Sequence, residues 1–213
     1  MKEVDDQSKG RKLLSAVERI VDDNDSIIAK VERFRRKARA DHPEANDEMI
    51  RALVSGRIIK AYSNASAISG GATALPALLP GAGSIVALVG GALVDVALIL
   101  KFETEMALAL CWNYGLDIRE ERHRNTALLM ASVNTHDYQT GGDFWEDVIK
   151  AEGEALWNNS PRELPKLIVQ VMARLAVGQV SKGVAKVLPF VGIAVGAGLN
   201  KTLTDAVGQR CVG

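Results

Sequence analysis

Apolar residues in the first sixty positions recur every three or four places. Leu13, Leu14, Val17, Ile20 and Val21 form one such stripe, Ile27, Ile28, Val31 and Phe34 a second, and Met49, Ile50, Leu53, Val54, Ile58 and Ile59 a third. This is the period of a helix with one buried face. It predicts a helix over 7–23, a second capped by Asp25-Ser26 and stopped at His42-Pro43, and a third capped by Asn46 and running to about Ser69. Past Lys60 the pattern changes. From Ala61 to Leu100 the only side chain charged at neutral pH is Asp95, and Gly70-Gly71 and Gly90-Gly91 lie on either side of Leu-Pro-Ala-Leu-Leu-Pro-Gly-Ala-Gly. Pro76 and Pro80 forbid a continuous helix. The stretch therefore reads as a glycine-rich apolar helical hairpin, its second arm running from Ile85, capped by Ser84, to about Asn113. Gly115 stands where a left-handed C-terminal residue is wanted.

Three further helix starts carry a capping side chain with Glu three positions on: Asp117 to Glu120, Asp143 to Glu146 and Ser160 to Glu163. This pairing satisfies orphan amides at both ends of the motif. It predicts helices near 118–133, 144–158 and 161–177, with 135–142 as a polar loop. After Gly178 a short amphipathic helix leads to Leu188-Pro189-Phe190-Val191-Gly192, an echo of the corner at Leu79-Pro80-Gly81-Ala82-Gly83. Pro80, Gly81, Gly83, Pro189 and Gly192 are thus read as structural corners. No stretch alternates in the manner of a strand. The fold class is all-α: a multi-helix bundle around the hairpin, with amphipathic helices over 1–45 and one helical domain over 46–213.

Composition narrows the functional classes. Of 213 residues 19 are glycine and only 5% aromatic, so small and aliphatic side chains do the packing. Lysine plus arginine and aspartate plus glutamate both total 26, and no segment has the basic excess that nucleic-acid binding requires. Two cysteines, Cys111 and Cys211, make neither a disulfide framework nor a zinc site. The amino terminus lacks the apolar core of a secretory signal. A reducing, cytoplasmic setting is expected.

Three features could carry chemistry. Arg33, Arg35, Arg36, Lys37 and Arg39 cluster at the end of the second helix, where cations suit anionic lipid headgroups or a protein partner. A solvated helix end is the simpler account. Asp95 has no pairing residue one turn away, so a buried carboxylate there calls for a partner from another helix: Arg57, Lys60, Lys186 or Asn200. An interhelical tether is the plain reading and a proton- or ligand-sensing acid the sharper one. Glu120, His123 and His136 could form a joint site across a helix and a loop, with solvated surface residues as the simpler account. No nucleophile elbow, phosphate loop or metal-ligand spacing occurs, so no catalytic residue, cofactor or metal is expected.

The Leu-Pro-Gly corner at 79–83, the helix end Trp112-Asn113-Tyr114-Gly115-Leu116-Asp117 and the closing LPFVGIAVGAGLNKTLTDAVGQ together resemble the EcsC family and related GTPase-associated helical domains of unknown function. The family's Pro-Val-Gly corner, Gly-Ala-rich helix and Asn are matched by Pro189, Gly192, Gly196, Ala197, Gly198 and Asn200, and its helix end by Tyr114, Gly115 and Asp117. The resemblance covers about residues 60–213. It implies a bacterial, mostly helical protein, sometimes encoded beside transport machinery, and brings no catalytic residues with it.

The expectation is a non-catalytic, membrane-proximal helical module at the inner face of the membrane. It would bind a protein partner or anionic lipid through its small-residue helix surfaces, not nucleic acid, and homo-oligomers are admitted. The alternative is a conditional membrane inserter or pore-former in which the 61–100 hairpin leaves the bundle, and a hydrolase comes a distant third. Insertion is disfavoured because Asp95 interrupts the second arm and Ser, Thr, Asn, Gly and Pro dilute the first. A helix apolar all round suits equally the centre of a soluble bundle.

Overall fold

In the computed structural model, residues 2–69, 91–140, 163–182, 201, 204–209 and 211 are described. They form α1 (Lys2–Ile20), α2 (Asn24–Asp41), α3 (Asp47–Ser69), α4 (Gly91–Asn113), α5 (Glu121–Thr140) and α6 (Glu163–Lys182). A short helical stretch follows at 204–209. No strand occurs among the described residues, and the protein is an all-α bundle.

The stripes seen in the sequence become the buried faces, and α4 is the post around which they close. From Leu93 to Leu110 every α4 residue except Asp95 and Phe102 is buried. Two apolar clusters are strung along it. Around its first half, Leu13 and Val17 of α1, Leu129 and Val133 of α5, and Ile168, Val171 and Leu175 of α6 meet Val94, Ala97, Leu98 and Leu100. Around its second half, Ile27 and Val31 of α2, Val54, Ile58 and Tyr62 of α3, Ile118 and Val207 meet Met106, Leu108 and Leu110. A helix shielded on all sides has no polar face to keep wet, which is why α4 shows no apolar-polar periodicity.

Glycine permits a close approach of α1 to α6. A Cβ on Gly10 of α1 would stand 2.6 Å from the Val169 carbonyl oxygen and 2.7 Å from the Ala173 amide nitrogen of α6. Gly115 ends α4 at φ 91°, with its amide bonded to the Trp112 carbonyl and that of Leu116 bonded to the Cys111 carbonyl. These two bonds close a Schellman turn that satisfies the last carbonyls of α4.

Several local expectations are corrected. The cap of α2 is Asp23, whose carboxylate takes the Ser26 amide at 2.9 Å and the Ser26 hydroxyl at 2.7 Å, rather than Asp25-Ser26. Asp117 does not cap α5. It takes the Arg119 amide in a preceding turn, and α5 begins at Glu121. Nor is 135–140 a loop. α5 continues to Thr140: Asn134 and Thr135 are buried, and the Thr135 hydroxyl meets Glu103 of α4, which carries the helix past the apolar run. Asn46 does cap α3, taking the Met49 amide at 2.8 Å. The helix expected near 161–177 does not break at Gly178, since α6 runs through it to Lys182. The tip of the hairpin and the corners at Pro80, Gly81, Gly83, Pro189 and Gly192 lie outside the described residues, as do the helix expected near 144–158 and the stretch from 183 to 200. No described helix is long and apolar enough to cross a membrane.

Candidate functional site

The end of α2 sorts its five cations into two groups. Arg35 is half-buried against the body, and Arg39, though exposed, is engaged by an acid at the start of α3. Arg35 pairs with Glu32 at 2.8 Å and donates to the side-chain oxygen of Asn113 at 3.3 Å, and Arg39 pairs with Asp47 at 2.8 Å. Arg33, Arg36 and Lys37 turn outward. All three are exposed, and none has a carboxylate within ion-pair distance among the described residues. Spaced at three and four, they make one cationic stripe.

On the inward side α2, the start of α3 and the end of α4 enclose a cleft of about 540 Å³, lined by Arg35, Arg39, Arg51, Asn113 and Tyr114 among others. Asn113 fixes its floor, donating to the Arg51 carbonyl and the Ser55 hydroxyl, both at 3.0 Å. Trp112 donates its indole proton to Glu32 at 2.9 Å, which joins α4 to α2. Arg51 stands over the Tyr114 ring, 5.7 Å from its centre, and no carboxylate among the described residues pairs with it. Asp47 and Asp117 also line the cleft. The sequence pointed to Arg35 and Arg39 but not to Arg51, whose place beside them depends on how α3 crosses α4.

The interior holds a second polar assembly, which sequence reading missed. Lys101 and Glu105, one turn apart on α4, form a buried ion pair, and the Asp22 amide donates to Glu105 at 2.9 Å. The Lys101 ammonium also reaches Asp22 at 3.3 Å. Burial pushes the Glu105 carboxyl above the usual range, with the Lys101 charge acting against it. Lys30 lies over the Tyr62 ring at 4.2 Å; burial holds its ammonium below the usual lysine range, opposed by Glu105 and Asp22. The signal was present as Lys-Phe-Glu-Thr-Glu set between apolar runs, with opposite charges at i and i+4.

On the opposite side of α4, Glu103 is fully buried and meets the Thr135 hydroxyl of α5. Burial pushes its carboxyl up to about 8, and the Thr135 hydroxyl works against that rise. The hydroxyl has one proton and a second acceptor, the Ala131 carbonyl oxygen at 2.8 Å. When that proton goes to Ala131, the neutral Glu103 carboxyl supplies its own to the contact. The Cys211 thiol is likewise pushed up to about 12 by burial, with smaller contributions from Cys111 and Glu103. Neither thiol is an activated nucleophile.

The other candidates fall in different places. Asp95 is half-buried near the start of α4. Arg57, considered as its partner, pairs with Asp41 at 2.7 Å and donates to the Phe34 carbonyl at 3.3 Å. Lys186 and Asn200 lie outside the described residues. Glu120, His123 and His136 do not form a joint site. His123 Nδ1 contacts the Asp117 carbonyl oxygen at 2.7 Å, with Glu120 3.8 Å away. His136 lies on the same helix thirteen residues further on, about 20 Å at the helical rise. No group of three or more potential metal ligands occurs among the described residues.

No protein-family model matches the chain, and neither curated proteins nor solved structures show significant similarity to it, so the EcsC resemblance rests on the quoted residues alone.

Proposed function

We propose that the chain is a non-catalytic helical module that docks on an anionic membrane surface, at its cytoplasmic face, through the end of α2. The observation that supports this is the exposed stripe of Arg33, Arg36 and Lys37, which no carboxylate among the described residues neutralises. Surface cations that find local acids are spent within the protein, whereas these three keep their charge for an outside partner. Each cation near an anionic leaflet contributes about 1 kcal/mol, so the three together amount to roughly a hundredfold in affinity. Extraction of α4 into a bilayer would strip both apolar clusters at once, so the module acts from the surface with its bundle intact.

Co-sedimentation with phosphatidylserine-phosphatidylcholine vesicles tests this reading. The wild-type chain is expected to sediment at low salt and to be released as salt screens the contact. Replacing Arg33, Arg36 and Lys37 together by Gln should weaken binding about a hundredfold without changing the helical circular dichroism signal. Wild-type protein that stays in the supernatant at low salt overturns the proposal.

A further inference from the structure

The geometry points to the cleft between α2, α3 and the end of α4 as a binding site for a phosphomonoester, with a lipid headgroup as its source. This inference deepens the docking reading and rests on it for that source.

Three guanidinium groups, from Arg35, Arg39 and Arg51, line one cavity whose volume suits a small ligand. Guanidinium forks match the oxygens of a phosphate, binding two at a time. Their present partners indicate which anion would fit. Arg35 is fixed by Glu32 and Asn113 and forms the wall. Arg51 stands over the Tyr114 ring, with no acid among the described residues to displace. Arg39 holds Asp47 in an exposed pair, of the kind that contributes at most about 1 kcal/mol. A monoanion entering the cleft gains Arg51 but meets the charges of Asp47 and Asp117. A dianion carries the charge to draw Arg39 away from Asp47 and the oxygens to bridge Arg39 and Arg51. The lining therefore favours a phosphate monoester over a carboxylate or a phosphodiester.

A second, independent observation identifies the source. Of the four exposed large apolar side chains among the described residues, Met49, Tyr114, Leu116 and Val177, the first three line the cleft or adjoin a residue that does. Met49 precedes Ile50 and Arg51, while Leu116 lies between Gly115 and Asp117 in the Schellman turn. Apolar side chains beside an anion site are costly in water and favourable at the headgroup-acyl boundary. A soluble phosphate ester would have no use for them.

Vesicles of phosphatidylcholine carrying either phosphatidic acid or phosphatidylserine, matched in zeta potential, separate the headgroup from the charge. The full chain is expected to bind the phosphatidic acid vesicles at least tenfold more tightly. Arg51→Gln, an exposed substitution, should abolish that preference with circular dichroism and melting unchanged. Replacing Arg33, Arg36 and Lys37 by Gln should weaken both vesicle types alike and leave their ratio intact. Equal binding of the two vesicle types by the wild-type chain, or a preference that survives Arg51→Gln, overturns the cleft while leaving the docking surface standing. Binding to neither removes both.

Calorimetric titration with glycerol 3-phosphate checks the source. Met49→Ser combined with Leu116→Ser should weaken phosphatidic acid vesicle binding and leave glycerol 3-phosphate binding unchanged. An unaltered vesicle affinity in that double variant overturns the lipid as the source.

Discussion

Lys101 and Glu105 form an ion pair with only 6% and 1% of their side chains exposed, one turn apart on the helix that the other elements surround. The pair faces Asp22, which offers both its amide and its carboxylate, and so fastens the α1–α2 corner to the centre of α4. Removing one member of such a pair strands a buried charge. Lys101→Met is expected to cost about 3–5 kcal/mol, whereas Lys101→Met with Glu105→Leu should recover most of that loss. Urea midpoints of the two single variants and the double variant measure the coupling. A double variant no more stable than Lys101→Met would refute the assignment.

Glu103 predicts a pH dependence with a definite sign. Its folded-state carboxyl is raised from an ordinary 4.5 to about 8 by burial. The folded state therefore holds the proton more tightly than the unfolded state. The contribution is complete below about pH 4.5, declines as pH rises, and is gone above about pH 8. Each tenfold in proton affinity is worth about 1.4 kcal/mol. Glu103→Gln keeps a neutral side chain of the same shape at every pH. Its stability relative to wild type should rise between pH 5 and pH 8.5 and then level off. Urea titrations across that range check the slope, and parallel wild-type and variant profiles would contradict it.

Two glycines within helices should respond oppositely to alanine. Gly10→Ala drives a Cβ into the backbone of α6 at Val169 and Ala173, and is expected to cost about 1–3 kcal/mol. Gly56, an exposed residue in the middle of α3, has nothing within 4 Å of its Cβ position. Gly56→Ala should stabilise by roughly 0.5–1 kcal/mol, because alanine loses less backbone entropy in a helix. Thermal melts of the two variants give the signs directly.

The all-α class, the stripes at Leu13–Val17, Ile27–Val31 and Met49–Ile59, the Asn46 cap and the left-handed Gly115 were all legible along the chain, since each depends on residues within a few positions of one another. The α5 boundaries were not. Polar residues from Thr135 on look like loop residues in one dimension, and only the contact of Thr135 with Glu103 across the α4–α5 interface reveals a buried helical face there. The cap of α2 was misplaced by two residues because Asp22, Asp23 and Asp25 are interchangeable on local grounds. Distant contacts separate them, since Asp22 is committed to Lys101 and Glu105 and Asp25 to Arg119.

The functional regions divide in the same way. The basic run at 33–39 was readable, but its partition into an exposed stripe and a cleft wall follows from the rotation of α2 about its axis, which its apolar face sets against α3 and α4. Arg51 and Tyr114 are 63 positions apart, and nothing local joins them; the antiparallel packing of α3 on α4 does. Periodicity determined which residues would be helical and which faces would seek cover, because a helix's own geometry enforces it. Which charges share a cleft and which are buried was decided by the bundle, because desolvation and pairing depend on what lies across the helix interface.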